Sequence, residues 1–413
     1  MKTTYRECTL PNGLRIAAEC APDAASAAIG MFVQTGARDE PRELMGVSHF
    51  LEHMMFKGSA TRPASAVNEA FDRIGARNNA FTSHEMTAYH AHVLPEYFSE
   101  SFSLVADLLR PALRLDDFTK EKNVILEEIA MYDDNPFWVV YERALEMYFK
   151  DHPLGYQVLG TKESVTALTR DQMQKYFSER YSPSNTIVAA AGKVDFDALV
   201  QQAKNETAKW TTHGVRRRYP DFTPGSGAFT IQDKSATRGY MVMIWPAPDQ
   251  TDPARYAAML CAQIIGDSEG SRLYWSLVET GVAVHAAVGY QGRDGVGECV
   301  ASVVCATKDL DKAEQIVRSE CEKLSASLTE DDLVRARQKI ATSVAVAGES
   351  PSGRMQRLGS MLASLGYFKP LEEELERINA LTLDDLKALL LKFPFMPQVV
   401  GRIVPVDSAT EVS

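Results

Sequence analysis

The sequence predicts an α+β fold made twice: two homologous domains, each a mainly antiparallel sheet packed with helices, in one chain of 413 residues. Three internal resemblances carry this expectation, and they recur in the same order at nearly one spacing. The run AAIGMFVQTGARDEP (27–41) resembles RGYMVMIWPAPDQTDP (238–253) at an offset of about 211, and each reads as a strand leading into a long helix. DDFTKEKNVILEEI (116–129) resembles DDLVRARQKIATSV (331–344) at an offset of 215. ALTRDQMQKYFSERYSPSNTIVAAAGKV (167–194) resembles the run from 380, ALTLDDLKALLLKFPFMPQVVGRIVPV, at an offset of 213. Both members of this last pair have a Thr N-cap followed by an Asp, an amphipathic helix, a break at Pro183 or Pro394, and a β-branched strand. The join falls in THGVRRRYPDFTPGSG, rich in Gly, Pro and charge, which gives domains 1–211 and 228–413 around a linker at 212–227.

Composition narrows the function. A net charge of −11, with Arg216–Arg218 as the densest basic run, argues against nucleic acid, and that run reads as a solvated linker segment. No apolar stretch approaches the ~20 residues that span a bilayer, and the first residues lack the apolar core of a secretory signal. The expectation is a cytoplasmic protein, or a periplasmic one if a signal has been removed. Cys8, Cys20, Cys261, Cys299, Cys305 and Cys321 show no CxxC spacing and read as reduced, structural thiols.

The helix after the first strand holds the chemistry. In SHFLEHMMFKG (48–58), His53 lies about 40° from His49 on a helical wheel and Glu52 about 60° to the other side, so all three leave one face. Leu44, Val47, Leu51, Met54 and Met55 gather round the opposite pole, the stripe that should meet a core. Two neutral imidazoles can hold Zn²⁺, a third ligand leaves a position open for water, and a carboxylate beside them can take that water's proton. His-x-x-Glu-His is the inverse of the commoner zinc-peptidase order.

The third ligand is sought on helix 116–132. Phe118, Ile125, Ile129 and Tyr132 make its apolar stripe, Glu121 and Glu128 lie within about 60° of Ile125, and Glu127 points about 160° away. A carboxylate at the margin of a core face is costly unless paired or metal-bound, so Glu128 is the better ligand and Glu127 the surface residue. In the second copy His49, Glu52 and His53 become Leu260, Gln263 and Ile264, while Glu121 and Glu128 become Ala336 and Ser343. The ligands vanish as a unit, which confines metal binding to the first half. A competing set, His84, His90 and His92, falls on one face of a strand but lacks a carboxylate at a base-like spacing.

These residues resemble the pitrilysin and mitochondrial processing peptidase family of zinc peptidases. HFLEH, then 74 residues, then Glu128 within EKNVILEEI is similar to that family's zinc pattern, and TLPNGLRI, NNAFTSHEMTAYH and the two ALT helices extend the likeness along the chain. The resemblance implies one Zn²⁺ per chain held by His49, His53 and Glu128, with Glu52 as the catalytic general base and Glu121 as a second catalytic acid supporting the site. It implies that Asn79, Ala80, Phe81 and Thr82 form an edge strand for an extended peptide substrate, and that the two domains are halves of a clamshell. One feature departs from the family: where relatives carry an arginine and a tyrosine in the second half, this chain aligns Val278 and Val284, with Arg272 and Tyr274 nearby but earlier. The resemblance is therefore to the zinc-bearing subunit of a heterodimer, whose homologous partner lacks the zinc motif and brings the Arg/Tyr pair. The competing expectation is a non-catalytic scaffold, as in the core proteins of the respiratory cytochrome complex.

Overall fold

Alternating and β-branched runs become strands in both halves. In the computed structural model, which describes residues 2–406, β1 (Thr4–Thr9), β2 (Arg15–Cys20), β3 (Ala27–Val33), β4 (Arg77–Thr82), β5 (Thr87–Val93) and β6 (Thr186–Gly192) form a six-stranded sheet ordered β1-β2-β6-β3-β5-β4. A five-stranded sheet ordered β7-β11-β8-β10-β9 is made by β7 (Gly227–Asp233), β8 (Gly239–Ala247), β9 (Ala283–Gly292), β10 (Gly297–Cys305) and β11 (Val399–Pro405). Pairing is antiparallel except for β2 with β6 and β7 with β11. Without β1 the two orders coincide. Ile29 lies opposite Ala190 and Tyr240 opposite Ile403, so the register of the first sheet reappears in the second at displacements of 211 and 213 positions.

The helices of the repeat follow suit. Thr169 and Thr382 cap helices Arg170–Arg180 and Leu383–Lys392, each in a reciprocal capping box. The second pair becomes helices Leu115–Asp133 and Glu330–Ala347. No described helix is long and apolar enough to cross a membrane.

The compact units depart from the single cut expected between 1–211 and 228–413. Unit 1 is Met1–Ile129, Tyr156–Arg218 and Val344–Lys369; unit 2 is Ala130–Gly155, Tyr219–Ser343 and Pro370–Ser413. The residues of those expected domains at 1 and 407–413 lie outside the described part. Each half of the sequence thus gives a helix to the other half's sheet. Helix Pro351–Leu365 buries Met355, Leu358 and Leu362 against Phe32, Ala28, Ile187 and Ala189. Helix Pro136–Phe149 buries Val140, Ala144, Leu145 and Tyr148 against Val242, Ile244, Val399 and Ile403. The reason is that a fully buried sheet needs cover on both faces, and each large apolar side chain so buried contributes about 1.5–3 kcal/mol. Packing is close enough to require glycine: a Cβ at Gly359 would stand 2.1 Å from the Phe32 ring. The opposite face of the first sheet carries the larger core, in which Ile29, Met31 and Val33 meet Phe50, Leu51, Met54 and Met55.

Candidate metal centre and peptide edge

The motif helix runs Val47–Met55. It begins at Gly46, whose φ of 92° lies in the left-handed region that favours glycine. Its free N–H groups are met by a buried acid from upstream, as Glu40 accepts from Gly46 N and Ser48 N, both at 2.7 Å. Its two oxygens satisfy orphan donors of the helix start, although burial pushes the Glu40 carboxyl up to about 8. The apolar stripe turns inward as expected. His49 is also buried, at 8 % exposure, while Glu52 and His53 on the same face are half-buried.

Phe50 stacks on Phe118 with ring centroids 4.8 Å apart, locking the motif helix to helix Leu115–Asp133. That contact brings Glu128 over the histidines: its Oε2 stands 3.8 Å from His49 Nε2 and 3.6 Å from His53 Nε2. Among the described residues, His49, His53 and Glu128 form the group of three whose donor atoms converge, all within 4.8 Å of one another. Donors about 2.0–2.1 Å from a tetrahedral zinc ion are separated by about 3.4 Å, so the two histidine–Glu128 separations lie within a few tenths of an ångström of that spacing. Two nitrogens and one carboxylate oxygen also match zinc's preferences and leave a coordination position open.

The surroundings suit this use. His53 Nδ1 donates to Glu121 Oε1 at 2.9 Å, which keeps the Nε2 lone pair on the converging side. Glu121 is 5 % exposed, and its other oxygen is held by the Lys57 ammonium at 2.5 Å. Burial, aided by neighbouring His53, pushes His49 down to about 3 and keeps it in the neutral form that ligates metals. His49 Nδ1 has no hydrogen-bond partner among the described residues. Glu127 faces solvent, as its wheel position implied.

Glu52 Oε2 accepts a 2.6 Å hydrogen bond from Thr82 Oγ. Burial pushes the Glu52 carboxyl up, the Thr82 bond and His53 oppose this, and Glu128 adds to it. Thr82 ends β4, the outermost strand of the sheet, where Asn79 and Phe81 are exposed and Ala80 and Thr82 half-buried. Glu52 and the strand edge are therefore in direct contact. His84, His90 and His92 belong to no metal-holding group among the described residues, and His92 Nε2 bonds Ser26 Oγ at 2.8 Å. In unit 2, Leu260 and Ile264 are buried in helix Arg255–Gly266. Val284 is 57 % exposed, while Arg272 is engaged with Ser327 O at 2.8 Å and with Asp332 at 3.0 Å. Tyr274 donates to Glu279 at 3.2 Å.

Sequence reasoning missed the Glu40 cap and the Lys57–Glu121 contact. Lys57 carried a usable signal, since it lies four residues beyond His53 and Glu121 had already been placed beside the motif.

Comparison with known proteins matches residues 15–162 to the insulinase (peptidase family M16) model and 167–340 to the peptidase M16 inactive domain. A Mycobacterium bovis protein named as an uncharacterised zinc protease is 32% identical over 393 residues, covering 93% of this chain and 89% of its own. The chain belongs to peptidase family M16. A Bacillus subtilis relative, also named an uncharacterised zinc protease, is 29% identical over 388 residues, covering 92% of this chain and 93% of its own. Among solved structures, a Helicobacter pylori protease superposes with a TM-score of 0.91 at 20% identity, over 98% of this chain and 100% of the other. A chain of complex III from Candida albicans superposes with a TM-score of 0.84 at 20% identity, over 96% and 95%. At such identities the structural likeness establishes the fold alone. The two matches fall on the two repeats: the half with His49, His53 and Glu128 matches the first model, and the half with Leu260 and Ile264 matches the model named inactive.

Proposed function

We propose that this M16 chain is a zinc-dependent endopeptidase subunit acting on peptides or unfolded polypeptide segments. The observation that carries the reading is the convergence of His49, His53 and Glu128 beside a buried glutamate that touches the sheet's edge strand. Zinc held by the three ligands supplies a Lewis acid that acidifies water and polarises a peptide carbonyl. Residues Asn79–Thr82 offer main-chain donors and acceptors on the open side of β4, so an extended peptide adds as a further strand without much sequence being read. Glu52 takes the proton of the attacking water and delivers it to the leaving amine nitrogen. Thr82 Oγ holds the Glu52 carboxylate in place, and Glu121 holds the ring of His53.

The test is Glu52→Gln. The variant should retain stoichiometric zinc and lose hydrolysis of a flexible peptide by at least about a hundredfold. Wild-type-like turnover by the metal-replete variant overturns the assignment, and substoichiometric zinc in the wild-type chain points to a scaffold.

The finer part of the proposal is a heterodimer. Val278 and Val284 offer no donor to an oxyanion, and loss of one such donor typically costs about 10²–10³ in rate. A homologous subunit without the zinc motif would bring the Arg/Tyr pair. The isolated chain should bind zinc yet cleave poorly, with activity rising when the partner is added. Full activity from the isolated chain, unchanged by any partner, removes the heterodimer from the reading.

A further inference from the structure

The arginine run expected to be a solvated part of the linker contains one residue that is not solvated. Arg216 and Arg218 are exposed, but the Arg217 side chain keeps only 11 % of its surface. It reaches Asp39, itself 1 % exposed, through two parallel bonds: Nε to Oδ1 at 3.0 Å and Nη2 to Oδ2 at 2.9 Å. Arg180 Nη2 meets Asp39 Oδ1 at 3.0 Å from another side. Arg217 Nη2 also donates to the main-chain oxygen of Glu85 at 2.6 Å, and the Glu85 carboxylate takes Arg38 Nη1 at 2.5 Å. A bidentate, nearly buried Arg–carboxylate pair fixes geometry far better than an exposed ion pair.

What it fixes are the two turns beside the site. Residues 36–39 and 83–85 are laced by Ala37 N to Ser83 O at 3.1 Å and Arg38 N to His84 O at 2.9 Å. They approach so closely that a Cβ at Gly36 would stand 2.3 Å from Ser83 O. The first turn runs on to Glu40, which caps the motif helix. The second joins β4 to β5 directly after Thr82, whose hydroxyl sits on Glu52. Arg217 itself lies in a segment without helix or strand, one residue before the last residue of that part of unit 1.

We propose that Arg217 is a positioning residue for the edge strand: by bridging Asp39 and the Glu85 carbonyl, it makes the linker a clasp on the turn from which β4 hangs. This rests on the peptidase reading for its consequence in peptide binding, but not for the clasp itself. An arginine that only filled space would be replaceable without a local effect on β4. Loss of a charged hydrogen-bonded pair of this kind corresponds to about a tenfold change in a local equilibrium or more.

The experiment uses the full zinc-loaded chain. Hydrogen exchange followed by mass spectrometry on Arg217→Ala should show amides of 77–87 exchanging about tenfold faster or more, with 47–55 and 186–192 unchanged. Arg217→Lys, which keeps the charge without the bidentate fork, should give a smaller change at the same amides. Arg218→Ala should give none. In the Glu52→Gln background, a fluorescein-labelled flexible peptide of about ten residues should bind roughly tenfold more weakly when Arg217→Ala is added, at unchanged zinc affinity. If Arg217→Ala does not fold, Arg217→Lys decides by the same local criterion. Unchanged exchange at 77–87, an equal rise throughout unit 1, or the same rise in Arg218→Ala each overturns the clasp. Failure of the peptidase reading looks different: the wild-type chain takes up substoichiometric zinc, or hydrolyses no peptide even with the partner subunit added, while the exchange result stands.

Discussion

Helices Val47–Met55 and Arg255–Gly266 follow corresponding strands of two sheets with one topology, yet one carries His49, Glu52 and His53 where the other carries Leu260, Gln263 and Ile264. The difference teaches that the fold does not depend on the site. Unit 2 fills the positions of the two histidines with Leu260 at 0 % and Ile264 at 6 % exposure, and its sheet keeps the register of unit 1. Unit 1 instead buries an imidazole with an unmatched Nδ1 and a carboxylate at 5 % exposure. Removing polar groups from water costs free energy unless they are paired: Glu121 is paired with His53 and Lys57, whereas His49 Nδ1 is not, so His49 is held at the expense of stability.

The largest expected effect tests whether each sequence half folds alone. A chain of residues 1–211 lacks helix Pro351–Leu365 and leaves Phe32, Ala28, Ile187 and Ala189 uncovered. Loss of three large buried side chains removes roughly 5–9 kcal/mol, comparable with the whole stability of a domain. This fragment should show no cooperative thermal transition by near-UV circular dichroism. A sharp transition together with stoichiometric zinc would mean that the exchanged helix is dispensable.

A second experiment carries one residue of unit 2 into unit 1. His49→Leu should abolish zinc binding while raising the stability of the metal-free chain by about 1–3 kcal/mol, read from the denaturant midpoint, because it removes a buried nitrogen without a partner and leaves the His53–Glu121 bond in place. A lower midpoint would show that the histidine packs better than the leucine and that it carries no stability cost. Next, Glu128→Gln should weaken zinc tenfold or more in a chelator competition. Glu127→Gln, on the solvent face of the same helix, should leave zinc affinity unchanged. Equal losses would refute the facial assignment of the two acids.

The smallest effect lies in unit 2 and depends on pH. Burial, with Asp133 adding, pushes Glu142 of helix Pro136–Phe149 up from 4.5 to about 7. A folded value above the unfolded one means the folded chain holds the proton longer. The stabilising contribution is complete below about 4.5 and is lost as pH rises through about 7. Glu142→Gln should therefore gain roughly 1 kcal/mol over wild type at pH 8 relative to pH 5, allowing for the carboxyl's partial contact with water. Parallel pH profiles for the two proteins would contradict this.

Periodicity made most of the fold legible. The displacements of 211 and 213 recur in the cross-strand register because both copies keep the same hydrogen-bonded partners. The separation of Glu128 from Glu127 was readable because 100° per residue places them on different faces. Other features were not readable, for separate reasons. Glu40 caps a helix from six residues before Gly46, outside any local capping pattern. The helix pattern at 351–365 shows an apolar stripe that needs a cover, but nothing in it says which sheet supplies one. Arg217 is chemically identical to its neighbours in the run, and only the position of Asp39 distinguishes it. Thr82 belonged to the expected edge strand, while its bond to Glu52 depends on where the motif helix lies across the sheet end.

The exchanged helix also sets an order of events during synthesis. A chain emerging from the ribosome N-terminus first completes the strands of the first sheet at Gly192, whereas the helix that covers one of its faces begins at Pro351. About 160 residues separate them, or roughly 8–30 s at ordinary elongation rates. Throughout that interval the face bearing Phe32, Ile187, Ala189 and Ala191 has no intramolecular cover. The first unit is thus the first to begin folding yet stays open until residues 344–369 emerge, and the second, whose strand β11 ends at Pro405, closes only after it.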